Sequence, residues 1–274
     1  MLEEDLEKDF REGIENNEFK IFLQPKFDIK TEKIVGAEAL IRREKDGVLI
    51  MPNSFIPEYE KTGVITKLDM FVFESICKKL KEWKDKGYKV FPIAINESRR
   101  NLYNKNHVSE LEQIVKYYNV NPNLLELELT ETVVVENIES AKEAEKKVHA
   151  LGFGVSMDDF GVGYSSFYML KNINIDILKI DKSFSDEVME DKRGRIILES
   201  IIDMAKKLEI KTVAEGIETK EQLEYLKQIG CDMVQGYYFE KPLPIEEFEK
   251  KYQWDFWDGL KNLISEISHR RNNM

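Results

Sequence analysis

FGVSMDDFGVGYSSFYMLKNINIDILKID, residues 153–181, opens on a short apolar run that ends in two adjacent acids, Asp158 and Asp159. A glycine- and hydroxyl-rich loop follows, then a second apolar run that finishes on Lys179 and Asp181. Asp, Gly and Ser are ordinary turn and helix-capping residues, so the double acid by itself reads equally well as a turn. The pattern around it decides more. Short apolar runs bounded by turn signals are buried-strand candidates, and the same rhythm recurs on both sides. The other runs are FKIFLQP (19–25), KIVGAEALI (33–41), KVFPIAIN (89–96), LLELELT (124–130), KTVAEG (211–216) and MVQGYYF (233–239), which makes eight candidate strands. Between them lie stretches such as 55–83 and 195–209, whose apolar residues return every three or four positions, as on an amphipathic helix.

Alternating strands and helices imply a mostly parallel sheet, and eight such units in about 250 residues fit a (β/α)8 TIM barrel. A doubly wound open sheet is the alternative. Pro92 is a blemish in the third run, tolerable near a strand's beginning. The first connection, DIKTE at 28–32, is too short for a crossover helix, so the first two strands are expected to be antiparallel.

The 274 residues are 42% hydrophobic and 34% charged, a globular composition with material for one large core or two modest ones. No apolar run approaches the roughly 20 residues of a spanning helix, so no membrane insertion is expected. The opening MLEEDLEKDF is acidic where a secretory signal is basic and then apolar, which points to a cytoplasmic domain. Cys77 and Cys231 form no CxxC pair, and His107, His149 and His269 form no HxxxH or HExxH pattern. Oxygen ligands are therefore the remaining choice for a metal cage. A net charge of −11 argues against a nucleic-acid polymer as partner. It does not exclude a small anion, because divalent cations reverse the local sign of an acidic site.

Each run places its apolar part first and a polar residue at or near its C-terminal end: Glu38, Asn96, Glu128, Asp158 with Asp159, Lys179 with Asp181, Glu215 and Gln235. A barrel gathers these ends at one rim, where such folds carry their chemistry. Carboxylates and a carboxamide without histidine or cysteine describe a cage for hard cations such as Mg²⁺ or Mn²⁺. Paired carboxylates are able to bridge two ions about 3.5–4 Å apart, an arrangement that cleaves phosphate esters.

These residues carry a resemblance. EAL at 38–40, IN at 95–96, ELTE at 128–131, DDFGVGYSS at 158–166, LKID at 178–181, AEGIET at 214–219 and QGYYF at 235–239 occur in the order of the signature series of EAL domains. That family comprises cyclic di-GMP phosphodiesterases. The match runs from about Gln24 to KPLP at 241–244, and the ordered set is specific where any single motif is weak. The resemblance implies a modified (β/α)8 barrel with one antiparallel strand, and hydrolysis of cyclic di-GMP to linear pGpG by water held between two metal ions.

Carried over by position, Glu38, Asn96, Glu128 and Asp158 hold one metal, and Asp158, Asp159 and Glu215 serve the second. Lys179 orients the water and stabilises charge on the phosphate, with Glu215 a candidate proton acceptor; Glu38 belongs to the same catalytic set. Gln235, Glu218 and Asp181 support that shell, and Glu131 anchors the loop from Phe160 to Ser166, where Ser165 or Ser166 caps the next helix. Gln24, Leu40 and Arg42 match ligand contacts. Standing alone, Lys179 reads as an ion-pair partner and Glu218 as a helix N-terminal acid.

Val162, Arg43 and Glu97 depart from the family's usual residues without removing a ligand. The resemblance also leads us to expect a homodimer, and residues 1–18 would suit a helical lead-in from an upstream sensory or GGDEF domain. Residues 19–250 form the barrel in this reading, and 251–274 a C-terminal helical extension with Phe256, Leu260, Leu263, Ile264 and Ile267 on one stripe. Two rival functions remain: a catalytically silent receptor of the same dinucleotide, and a barrel enzyme that abstracts a proton with Lys179 and one Mg²⁺.

Overall fold

Residues 19–45 fold as a long antiparallel hairpin of β1 (Phe19–Asp28) and β2 (Ile34–Lys45), as the short connection predicts. In this computed structural model, which describes residues 3–104, 106–130, 138–161, 166–187 and 191–252, the remaining barrel strands run parallel to β2. They are β4 (Ile93–Asn96), β5 (Leu125–Thr130), β6 (Gly154–Phe160), β7 (Ile177–Ile180), β8 (Lys211–Ala214) and β9 (Met233–Val234). β1 pairs antiparallel with both β2 and β9, so the ring of eight closes through one reversed strand. This is the modified barrel expected, and the open sheet is excluded.

Two short strands lie outside that expectation. β3 (Val48–Ile50) extends β2 in a hairpin, and β10 (Leu243–Pro244) pairs with β1 at Phe22 and Leu23. Both are too short to show a period. Of the expected runs that come out shorter as strands, two have a visible cause. Pro92 donates no N–H, so β4 begins after it, although Pro92 O still accepts Ala37 N at 3.0 Å. β9 stops at Val234 because Gly236 packs backbone to backbone on Ile217: a Cβ there would lie 2.2 Å from Ile217 N and O.

The helices between strands bury their apolar stripes on the outside of the ring. The stretch 55–83 is two helices, α2 (Ile56–Thr62) and α3 (Ile65–Asp85), broken where Gly63 adopts a left-handed φ of 87°. Within α3, Leu68, Val72, Phe73, Ile76, Leu80 and Trp83 are buried, each contributing about 1.5–3 kcal/mol of transfer free energy. The stretch 195–209 lies almost wholly within one helix (Lys192–Lys207), capped by Asp191 through the N–H groups of Arg193 and Gly194.

The lead-in is a docked helix, α1 (Glu3–Glu15). Its Leu6 and Phe10 join Phe19, Phe55, Tyr59 and Leu68 in a second apolar cluster beside the main core. Arg43, one of the departures from the family pattern, explains the docking. Its buried guanidinium takes both carboxylate oxygens of Asp9 and donates Nε to Glu18 Oε2 at 2.8 Å. Glu97, the second departure, is buried against His107 Nε2 (3.0 Å) and Asn101 Nδ2 (2.8 Å). Val162, Glu131 and the loop serines up to Ser165 lie outside the described residues, as does the apolar stripe of the C-terminal extension. Among the described residues no helix is long and apolar enough to cross a membrane.

One ion network on the outer wall sets a pH dependence. His149 meets Glu145 Oε1 through Nδ1 (2.6 Å) and Asp176 Oδ2 through Nε2 (2.9 Å). Partial burial works against its charged form, but the bonds to Asp176 and Glu145 prevail and hold the imidazolium pKa above its ordinary value. A raised histidine pKa gives stability that is complete below about pH 6.5 and fades as pH rises through the folded-state value. The melting-temperature gap between wild type and His149→Gln is therefore expected to shrink from pH 6 to pH 9; a constant gap would remove the charge from this account.

Candidate active site

Parallel register and period two bring the rim residues together. Asn96 at the end of β4 aligns with Glu128 of β5, and Thr130 of β5 with Asp158 of β6. Across the hairpin Gln24 faces Glu38, and Phe22 faces Leu40. Glu215 and Gln235 follow β8 and β9 directly.

Lys179 stands at the meeting point. Its side chain is 1% exposed, with Nζ 3.0 Å from Glu128 Oε2, 2.9 Å from Asp158 Oδ1, 2.9 Å from Glu215 Oε1 and 3.4 Å from Glu38 Oε2. Glu38 is held from both sides: Gln235 Nε2 donates to Oε2 at 2.7 Å and Asn96 Nδ2 to Oε1 at 3.1 Å. Gln235 Nε2 also reaches Gln24 Oε1 at 3.1 Å. Above this cluster opens a cavity of about 290 Å³ lined by Gln24, Glu38, Leu40, Asp158, Lys179 and Glu215. Gln235 and Glu218 complete the expected lining.

Asn96 and Glu128 join the cluster through Glu38 and Lys179 without lining the cavity, and three further expected residues sit differently. Asp159, with a left-handed φ of 55°, is exposed and does not line the cavity, although Asp158 and Asp181 act on its charge. Asp181 Oδ1 accepts Ser183 N at 2.9 Å, starting the helix Lys182–Glu187. Arg42 is not among the residues lining this cavity: Nη1 donates to Ile41 O at 2.8 Å and the guanidinium lies 5.7 Å from the Phe22 ring centroid.

Sequence reasoning missed a deeper layer. Lys26, two residues beyond Gln24 on β1, is buried between Glu126 Oε1 and Glu128 Oε1, each at 3.0 Å. Both Lys26 and Glu126 keep period two with residues already singled out, which is the signal that would have found them. Lys182 and Tyr237 also line the cavity, and Lys182 pairs with Glu218 at 2.6 Å. Gly216 is glycine for a steric reason: its φ is 66°, and a Cβ would fall 2.3 Å from the Lys182 stem.

The electrostatics are unbalanced. Glu38, Glu126, Glu128, Asp158 and Glu215 are gathered around two ammonium groups, those of Lys26 and Lys179. Burial, then the neighbouring Glu38, pushes the Glu128 carboxyl well above its usual range. Burial likewise raises Glu215, against the pull of Lys179. Burial works the same way on Glu38, but Lys179 and Lys26 overcome it and hold this carboxyl low. Burial opposes the charge on Lys179, yet Glu128, Glu215, Glu38 and Asp158 hold its pKa far above normal.

Among the described residues, no three or more Asp, Glu, His or Cys side chains form a preformed metal cage; the carboxylates ring an ammonium instead. The donor set nevertheless fits hard cations. The atoms are oxygens, acids outnumber bases, and one buried oxygen beside the cavity, Gln235 Oε1, accepts no hydrogen bond, while Asp158 Oδ1 meets the Lys179 ammonium at 2.9 Å.

The family model of the EAL domain matches residues 7–242. The chain belongs to the EAL domain family. This EAL domain is 39% identical over 241 residues to Signaling protein YkoW of Bacillus subtilis, covering 88% of this chain and 30% of that protein. It is 34% identical over 262 residues to Cyclic di-GMP phosphodiesterase NbdA of Pseudomonas aeruginosa, covering 94% of this chain and 34% of the relative. The chain thus spans about a third of the length of these curated relatives. Among solved structures, "PaMucR Phosphodiesterase, c-di-GMP complex" superposes with a TM-score of 0.83 at 33% identity, over 89% of this EAL domain and 99% of that chain.

Proposed function

We propose that this EAL domain is a divalent-cation-dependent phosphodiesterase that hydrolyses cyclic di-GMP to linear pGpG. The observation that carries the reading is the excess of buried carboxylates around Lys179, under a cavity open to a ligand. The choice of substrate is supported by a relative and a solved structure whose names carry cyclic di-GMP. Glu38, Asn96, Glu128 and Asp158, with Asp159 and Glu215, would hold two Mg²⁺ or Mn²⁺ ions. Such ions supply a water made easier to deprotonate and positive charge against the phosphate.

The chain's own residues do the rest. Lys179 Nζ, fixed by carboxylates from several strands, presents a permanent positive charge where charge on a bound phosphate grows. The Glu215 carboxyl, raised by burial toward neutrality, is suited to take the proton lost by the attacking water. Breaking one P–O3′ bond consumes one water and leaves a 5′-phosphate and a 3′-hydroxyl.

The test is incubation with cyclic di-GMP and Mg²⁺ or Mn²⁺, followed by chromatography for pGpG. Binding without product under either metal would make the domain a receptor; neither binding nor product would return it to the proton-abstraction reading. With Ca²⁺ alone, whose bonds of 2.3–2.6 Å and looser geometry suit a compact site poorly, turnover is expected to fall to background. Undiminished turnover in Ca²⁺ would count against a geometry-demanding pair of ions.

A further inference from the structure

Lys26 lies one layer deeper in the barrel than the rim. It pairs across the hairpin with Gly36, two residues before Glu38, and Glu126 stands two residues before Glu128 on β5. The Lys26 side chain is 3% exposed and that of Glu128 0%. Barrel interiors are ordinarily packed with Val, Ile and Leu. Replacing a buried ion pair by apolar side chains of similar volume is often neutral or stabilising, so this triad is poorly explained as a source of stability.

Its geometry points elsewhere. Glu128 spends one oxygen downward, Oε1 on Lys26 Nζ at 3.0 Å, and the other toward the rim, Oε2 on Lys179 Nζ at 3.0 Å. We propose that Lys26 is a positioning residue: it fixes Glu128 from below so that a single oxygen, in a single orientation, is offered at the rim to a divalent cation. Glu126 is the second leg of the anchor, taking Lys26 at 3.0 Å and stopping its ammonium from rising toward the carboxylates above. Partners of this kind orient a ligand without touching the ion, and losing one typically weakens metal affinity about 10–100-fold.

This inference rests on the cation-dependent reading above, and its test separates the two. The double variant Lys26→Met/Glu126→Gln removes one positive and one negative group together and leaves Glu128 in place without its anchor. Mn²⁺ affinity is measured by calorimetry, alongside melting temperatures with and without Mn²⁺. The double variant is expected to melt near wild type without metal, to bind Mn²⁺ about 10–100-fold more weakly, and to lose most of the Mn²⁺-induced rise in melting temperature. Glu126→Gln alone, which keeps Lys26 on Glu128 and leaves an amide oxygen to accept from its ammonium, is expected to weaken Mn²⁺ binding less than the double variant does.

A purely structural role would instead lower the metal-free melting temperature and leave the Mn²⁺ affinity of the folded fraction unchanged, and that result overturns the proposal. Should the double variant not fold, Lys26→Gln, whose shorter side chain cannot bridge Glu126 and Glu128 as the ammonium does, is read by the same criterion. Wild-type protein that takes up no Mn²⁺ at all overturns the underlying reading, and this proposal with it.

Discussion

Glu38→Ala is expected to reduce cyclic di-GMP hydrolysis by at least about a hundredfold while leaving the barrel folded, the scale at which one preorganised charge-stabilising group is lost. Glu38 is the point on which Gln235, Asn96 and Lys179 converge, at 2.7, 3.1 and 3.4 Å. Removing the carboxylate frees two amides and relaxes Lys179, so every group meant to face a phosphate loses its reference position. The stability cost is limited by two opposing effects. Each abandoned donor costs about 1–3 kcal/mol if it stays buried, but Gln235 lines the open cavity and Asn96 is exposed, and the loss relieves carboxylate repulsion. A melting shift of a few degrees is expected, with the circular dichroism spectrum unchanged. Full turnover in this variant would mean that the site has been placed on the wrong residues.

The rim was legible because two periodicities coincide. Residues such as Asn96, Glu128 and Asp158 terminate apolar runs, and parallel strands bring terminations to one end whatever the loops do. The reversed hairpin was legible from the brevity of residues 28–32. What lay beneath the rim was not. Lys26 falls one residue past the run 19–25 and Glu126 lies inside the run 124–130; period two with Gln24 and Glu128 was the signal, but a charge in a linear reading passes for a solvent-facing residue. Only the closed barrel shows that both sides of the hairpin face protein.

Arg43 escaped for a related reason. Its partner Asp9 belongs to a helix read as a lead-in, and the contact spans 34 positions that no local pattern connects. Side-chain direction at the rim was the other limit. Asp158 and Asp159 are adjacent and chemically identical, yet backbone conformation sends the first to the cavity and leaves the second exposed.

Lys179→Met is expected to lower turnover by about 10²–10³, as for removal of a buried group that stabilises developing negative charge. Its effect on the charge of the site is opposite in sign to that of Glu38→Ala. Taking the ammonium away leaves Glu38, Glu128, Asp158 and Glu215 facing one another without it. Breaking a buried ion pair from one side costs about 3–5 kcal/mol, so the metal-free protein should melt well below wild type. The same carboxylates, no longer ringing an ammonium, have more to gain from a divalent cation. Mn²⁺ or Mg²⁺ should therefore raise the melting temperature of Lys179→Met by more than that of wild type, whereas Glu38→Ala, short of one acid, should gain less. Thermal melts of the three proteins across a metal titration, run beside the pGpG assay, separate the roles: Lys179 as the group that acts on the phosphate, Glu38 as one that holds the cation. Wild-type turnover in Lys179→Met, or an equal metal response in all three, would dissolve that division.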